Sequence, residues 1–153
     1  MRSSVALQPM RRFPMAVRGA GMVEVLVAVL VLAIGLLGVA AMQATALRNS
    51  QSSLERSQGV VHAYTILDAM RANPELARNG AYNMAMTCAA PGAGNIVAND
   101  KRMWIQTLQT NLGASACGQV QCVGDRCTIT VRWDDSRGTA GSAAHNFSTT
   151  TRI

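Results

Sequence analysis

The sequence predicts an α+β chain in which a long N-terminal helix, apolar in its first half, packs on a small antiparallel β-sheet. Three observations predict it. Val25 to Met42 is an 18-residue run without a charged or strongly polar side chain. No proline lies between Pro14 and Pro74, so no ring breaks a helix across that span. Period-two alternation sets in only late, at Thr128-Ile129-Thr130-Val131-Arg132-Trp133. At 153 residues the chain makes one domain, or a small domain with an appendage. An apolar content of 49% excludes disorder as a description of the whole.

The helix comes first in chain order. Residues 20–47 hold 22 apolar side chains in 28, against 44 in 106 for residues 48–153. The excess is therefore one segment, and its 18-residue run is about the minimum for a bilayer core of roughly 30 Å. Charge is as uneven. The net charge is +6, yet Arg2, Arg11, Arg12 and Arg18 all precede the run and every acid lies from Glu24 onward. The positive-inside rule then keeps the N-terminus in the cytoplasm and exports the rest. Without residues 1–19 the charge falls to +2, so the basicity reports membrane orientation and a nucleic-acid partner is not indicated. A plain membrane anchor fits the same residues, as does a secretory signal peptide with a small-residue cleavage site at Ala44-Thr45-Ala46. Glu24 stands at the mouth of the run. A carboxylate there is costly, which points to a positive charge supplied by another chain.

The run Arg18-Gly19-Ala20-Gly21-Met22-Val23-Glu24-Val25-Leu26-Val27 resembles the cleavage region of type IV prepilins. In that family a prepilin peptidase cuts after a glycine, and a glutamate stands fifth in the mature chain. Here these are Gly19 and Glu24, with Ala20 and Gly21 where most pilins begin with Phe and Thr. The continuation Glu24 to Gly38 and the segment Met70-Arg71-Ala72-Asn73-Pro74 are similar to the PilV-type minor pilins. The resemblance implies cleavage between Gly19 and Ala20, N-methylation of Ala20, and pairing of Glu24 with the α-amine of a neighbouring subunit. It also implies a pilin-like fold, no catalysis and no cofactor. Its implied partners are other minor pilins, the major pilin, prepilin peptidase and the bacterial inner membrane. The exported domain is then periplasmic, and the chain passes into a pilus fibre or tip. A type II secretion pseudopilin shares the same helix.

Past Met42, helix is expected to continue to residue 73, where Pro74 disfavours it. Leu47, Leu54 and Val61 recur every seven residues. Val60, Ala63, Tyr64, Leu67 and Met70 make a second stripe suited to a sheet. Asn49 to Ser53 reads as a polar membrane exit. The expected parts are thus a leader (1–19), a long helix (20–73, with its transmembrane and assembly part at 20–46) and a globular domain (74–153). Residues 74–98 read as loop, marked by Asn79-Gly80, Pro91-Gly92 and Gly94-Asn95. Asp100 to Leu112 reads as a short amphipathic helix capped by Asn99 or Asp100, with Trp104 as its core anchor. Strands are expected at Gln119–Val123, Arg126–Trp133 and His145–Ile153, the first two joined by Gly124-Asp125.

Cys88, Cys117, Cys122 and Cys127 all follow the apolar run, and an even count in an exported domain suggests disulfides. Cys122 and Cys127 face each other across the expected hairpin. Cys122–Cys127 with Cys88–Cys117 is therefore favoured, ahead of Cys88–Cys127 with Cys117–Cys122. The spacings are not those of short zinc pairs, and no metal is expected. His62 and His145 lie on different elements, and no nucleophile, metal or phosphate motif is present in the sequence. Asp134 and Asp135 read as turn acids at a strand end.

Overall fold

The computed structural model describes Gly19 and residues 21–153. The chain falls into two compact units, one ending at Ala40 and one running from Ala41 to Ile153. A single helix, α1, spans Met22–Ala72 and contributes to both. Its window of highest hydropathy averages 2.9 and is wholly exposed, so α1 is long and apolar enough to cross a membrane.

Within the second unit a meander of four antiparallel strands follows the order β1-β2-β3-β4. The strands are β1 (Met84–Thr87), β2 (Cys117–Val123), β3 (Arg126–Trp133) and β4 (His145–Arg152). Two further helices, α2 (Pro74–Arg78) and α3 (Ile96–Leu112), precede and follow β1. The long helix packed on a small antiparallel sheet is the α+β arrangement expected. Residues 126–133 alternate because Cys127, Ile129, Val131 and Trp133 point into the core from one face of β3. Gly124 turns β2 into β3 at φ +60°, a conformation glycine adopts without a Cβ penalty.

Both α1 and α3 cover that core face. α3 presents Val97, Trp104, Ile105, Leu108 and Leu112, the period-3.6 face expected for it. Trp104 is buried and donates its indole Nε1–H to the carbonyl of His62 at 2.8 Å, which ties α3 to α1. α3 sits so close to β2 that a Cβ on Gly118 would meet the Trp104 ring and Ile105. α1 buries Gly59, His62, Ala63, Ile66, Leu67 and Met70. This corrects the expected stripe: Tyr64 is 47% exposed, and Ile66 takes its place in the core. The reason is Gly59, where a Cβ would lie 3.0 Å from the Trp133 ring. The missing side chain admits that ring and turns the 59–63–66–70 edge of the helix inward.

Three boundaries also differ from expectation. Residues 74–98 are not simply loop. Pro74 opens α2 at its first turn, where its missing N–H is not needed, and β1 pairs with β2 around Met84↔Val120 and Thr87↔Gly118. α3 begins a turn early because Asn95, not Asn99 or Asp100, is the cap; its side chain accepts from the Ala98 N–H at 3.0 Å. Asn99 instead bonds Gly94 in both directions and pins the approaching loop. The strand expected from Gln119 starts at Cys117.

Candidate assembly site

In the first unit, α1 opens with Gly21 accepting from the N–H groups of Glu24 and Val25. Glu24 therefore lies in the first helical turn, where the helix dipole favours an acid. Its side chain is exposed and makes no hydrogen bond or ion pair among the described residues. Behind it, every residue from Val25 to Met42 is exposed. Added Cβ atoms at Gly35 and Gly38 would meet only open space. The geometry is a bare apolar rod with one carboxylate at its start. Of the expected processing site, Gly19 is described and exposed. Ala20 and residues 1–18 lie outside the described residues.

In the second unit, the polar stretch of α1 also has a tertiary role. Residues 49–56 receive the loop that follows β3. Asp135 is almost wholly buried, and its Oδ2 accepts from the Ser52 hydroxyl at 2.9 Å and from Arg56 Nε and Nη2 at 3.2 and 2.9 Å. Burial alone would raise the Asp135 pKa, but the Ser52 and Arg56 hydrogen bonds and the Arg56 charge outweigh it and hold it below the usual carboxylate value. Beside this pair, Glu55 bonds Arg137 at 3.1 Å. Asn49 Oδ1 accepts from the Thr139 N–H at 3.4 Å. The loop can close this tightly because Gly138 and Gly141 lack side chains: a Cβ on Gly138 would strike Ser52, and one on Gly141 would strike the Asp135 carbonyl. Asp134 does behave as a turn acid, accepting from the Ser136 N–H at 2.9 Å. Asp135 does not. It is an anchor, and its partners, 79 and 83 residues away in sequence, carry no local signal that marks them.

The cysteines form two disulfides, Cys88–Cys117 and Cys122–Cys127. The second joins directly opposed residues of β2 and β3. The first fastens the segment after β1 to the start of β2, under the guanidinium of Arg132, whose Nη2 lies 3.4 Å from Cys117 Sγ. His62 lies in the core with Asn111 Nδ2 at 3.1 Å from its Nε2, and burial lowers its pKa. His145 packs edge-on against Trp133 with ring centroids 4.8 Å apart. The two histidines are not brought together around any shared site. Among the described residues no group of three or more His, Cys, Asp or Glu side chains is placed to hold a metal ion. No family model, curated protein or solved structure matches the chain.

Proposed function

We propose that this chain is a minor pilin of a type IV pilus, made as an inner-membrane precursor with its disulfide-bonded domain in the periplasm. Prepilin peptidase removes the leader between Gly19 and Ala20, and the helix then enters a bundle with other minor pilins and the major pilin to prime or cap the fibre. The observation that carries the reading is Glu24, one carboxylate in the first turn of an otherwise apolar, uncovered helix. Lipid can accept the apolar side chains but solvates the charge poorly. A neighbouring subunit's α-amine would offset that charge in a low-dielectric bundle. The protein then does mechanical work without chemistry. The clasp on Ser52, Glu55 and Arg56 supports this role, because it fastens the far half of the helix to the domain it must carry.

The test is incorporation into sheared fibres, read by immunoblot against total protein. Glu24→Ala is expected to abolish incorporation and Glu24→Asp to reduce it, since the shorter acid holds the charge in the wrong place. Incorporation of Glu24→Ala at the wild-type level overturns the pairing.

A further inference from the structure

The sheet has a second face, turned away from α1 and α3. Register places Gln119, Gln121, Thr128, Thr130, Ser148 and Thr150 in its middle, on three neighbouring strands. The hydroxyls pair across strands: Thr128 with Thr150 at 2.9 Å and Thr130 with Ser148 at 3.1 Å. A hydroxyl has one donor and two lone pairs, so each pair retains bonding capacity directed at solvent. Together they form a field of neutral hydrogen-bonding groups.

Arginines bound the field at both ends. Arg126 on β3 lies directly opposite Arg152 on β4. Like charges in direct cross-strand register oppose pairing. Asp125 offsets this only in part, 3.6 Å from Arg152, and Arg126 has no ion pair among the described residues. At the other end of β3 stands Arg132, six residues and so about 20 Å from Arg126. A positive pair held against its own repulsion and only partly neutralised suits an anion that bridges the two guanidiniums.

The face also lacks what other partners need. Trp133 and Phe147 belong to the core side, so among the described strand residues no aromatic ring stands on the outer side to stack a base. Among the described strand residues the one large apolar side chain left fully exposed is Val123 at the hairpin end, 84% exposed, which by itself makes no desolvated centre for a protein interface. A polymer rich in hydroxyls and carrying spaced carboxylates matches both the field and its ends. We infer that this face binds an acidic polysaccharide lying along β3, with carboxylates held at the arginine ends and sugar hydroxyls in the Thr/Ser/Gln field. The inference stands apart from the assembly reading and holds whichever way the helix is used.

The full chain in detergent micelles is tested against immobilised polygalacturonate, with dextran as the neutral sugar and oligo(dT) as the anionic polymer without sugar rings of this kind. Wild type is expected to bind polygalacturonate and not dextran. Arg126→Gln with Arg152→Gln is expected to weaken binding about tenfold or more, as the loss of charge-assisted bonds implies. The same double variant is expected to melt no lower than wild type, because it removes a repulsion. Thr128→Val with Thr130→Val, which keeps strand-forming shape, is expected to weaken binding several-fold. Equal binding to dextran, tighter binding to oligo(dT), or a double arginine variant that binds as wild type overturns the inference. Weaker binding accompanied by a lower melting temperature also overturns it, since the arginines would then be supporting the fold.

Discussion

Replacing Asp135 by Asn removes one charge from the clasp while keeping its shape. Wild-type Oδ2 receives three bonds, one from Ser52 and two from Arg56. A fully buried ion pair broken on one side costs about 3–5 kcal/mol, because the survivor is stranded without water. Arg56 is not stranded: its side chain is 49% exposed and regains solvent. The loss therefore falls to that of hydrogen bonds to a charged group, about 1.5–3 kcal/mol. We expect about 2 kcal/mol, a Tm lower by roughly 6–12 °C for a domain of this size. The pH dependence follows from the lowered pKa. The carboxylate's contribution is complete above the unfolded value of about 3.9 and is lost as pH falls through the lower folded value. The gap between wild type and Asp135→Asn should thus be full at pH 7 and close in acid. The assay is thermal unfolding of the full chain in micelles by near-UV circular dichroism, since Trp104 and Trp133 both lie in the core. A Tm within 1–2 °C of wild type at pH 7, or a gap unchanged at pH 3, would refute the reasoning.

Three further outcomes follow from the same structure. Gly141→Ala should undo the clasp more completely than Asp135→Asn, because its Cβ has no room beside the Asp135 carbonyl; limited proteolysis should cut the 134–144 loop in this variant first. Replacing Cys88 and Cys117 by Ser should cost more stability than replacing Cys122 and Cys127, about 3.6 against 2.2 kcal/mol on loop-closure entropy, since the cross-links are 29 and 5 residues apart. Denaturant midpoints of the two double variants check the order. The Tyr82 pKa is pushed up to about 12 by burial, then by its bond to Asp100 at 2.6 Å and that acid's charge, with Asn73 acting in the opposite direction. A neutral form favoured by folding stabilises below the unfolded value near 10 and is lost as pH rises towards 12. Tyr82→Phe should therefore flatten the alkaline fall in Tm.

Much of the fold was legible because its signals are local. Pro74 stops α1 where a proline must, and β3 announces its buried face in six alternating residues. Trp104, Ile105, Leu108 and Leu112 mark one side of α3 before any partner is known. The elements that escaped are those set by tertiary contact. β1 is Met-Ala-Met-Thr, with no alternation of its own; pairing with β2 makes it a strand. Asn95 and Asn99 are the same residue type four apart, and sequence could not say which caps the helix and which pins the loop. The clasp was the largest omission. Ser52, Glu55 and Arg56 look like ordinary solvated helix residues, and Asp135 like its neighbour Asp134. Only the fold brings them together. The one hint was the pair of glycines, Gly138 and Gly141, in the facing loop. At the other end, Glu24 was legible as an anomaly, an acid beginning an apolar run, and it stands exposed in the first turn of α1.

The mature N-terminus tests the central claim most directly. The full chain, expressed in a bacterium that carries prepilin peptidase and purified from membranes, can be read by intact mass and N-terminal sequencing. The account predicts a chain beginning at Ala20. A chain beginning at Leu47 would make it a secreted domain, and an uncut Met1 a plain anchor; either contradicts the assembly reading.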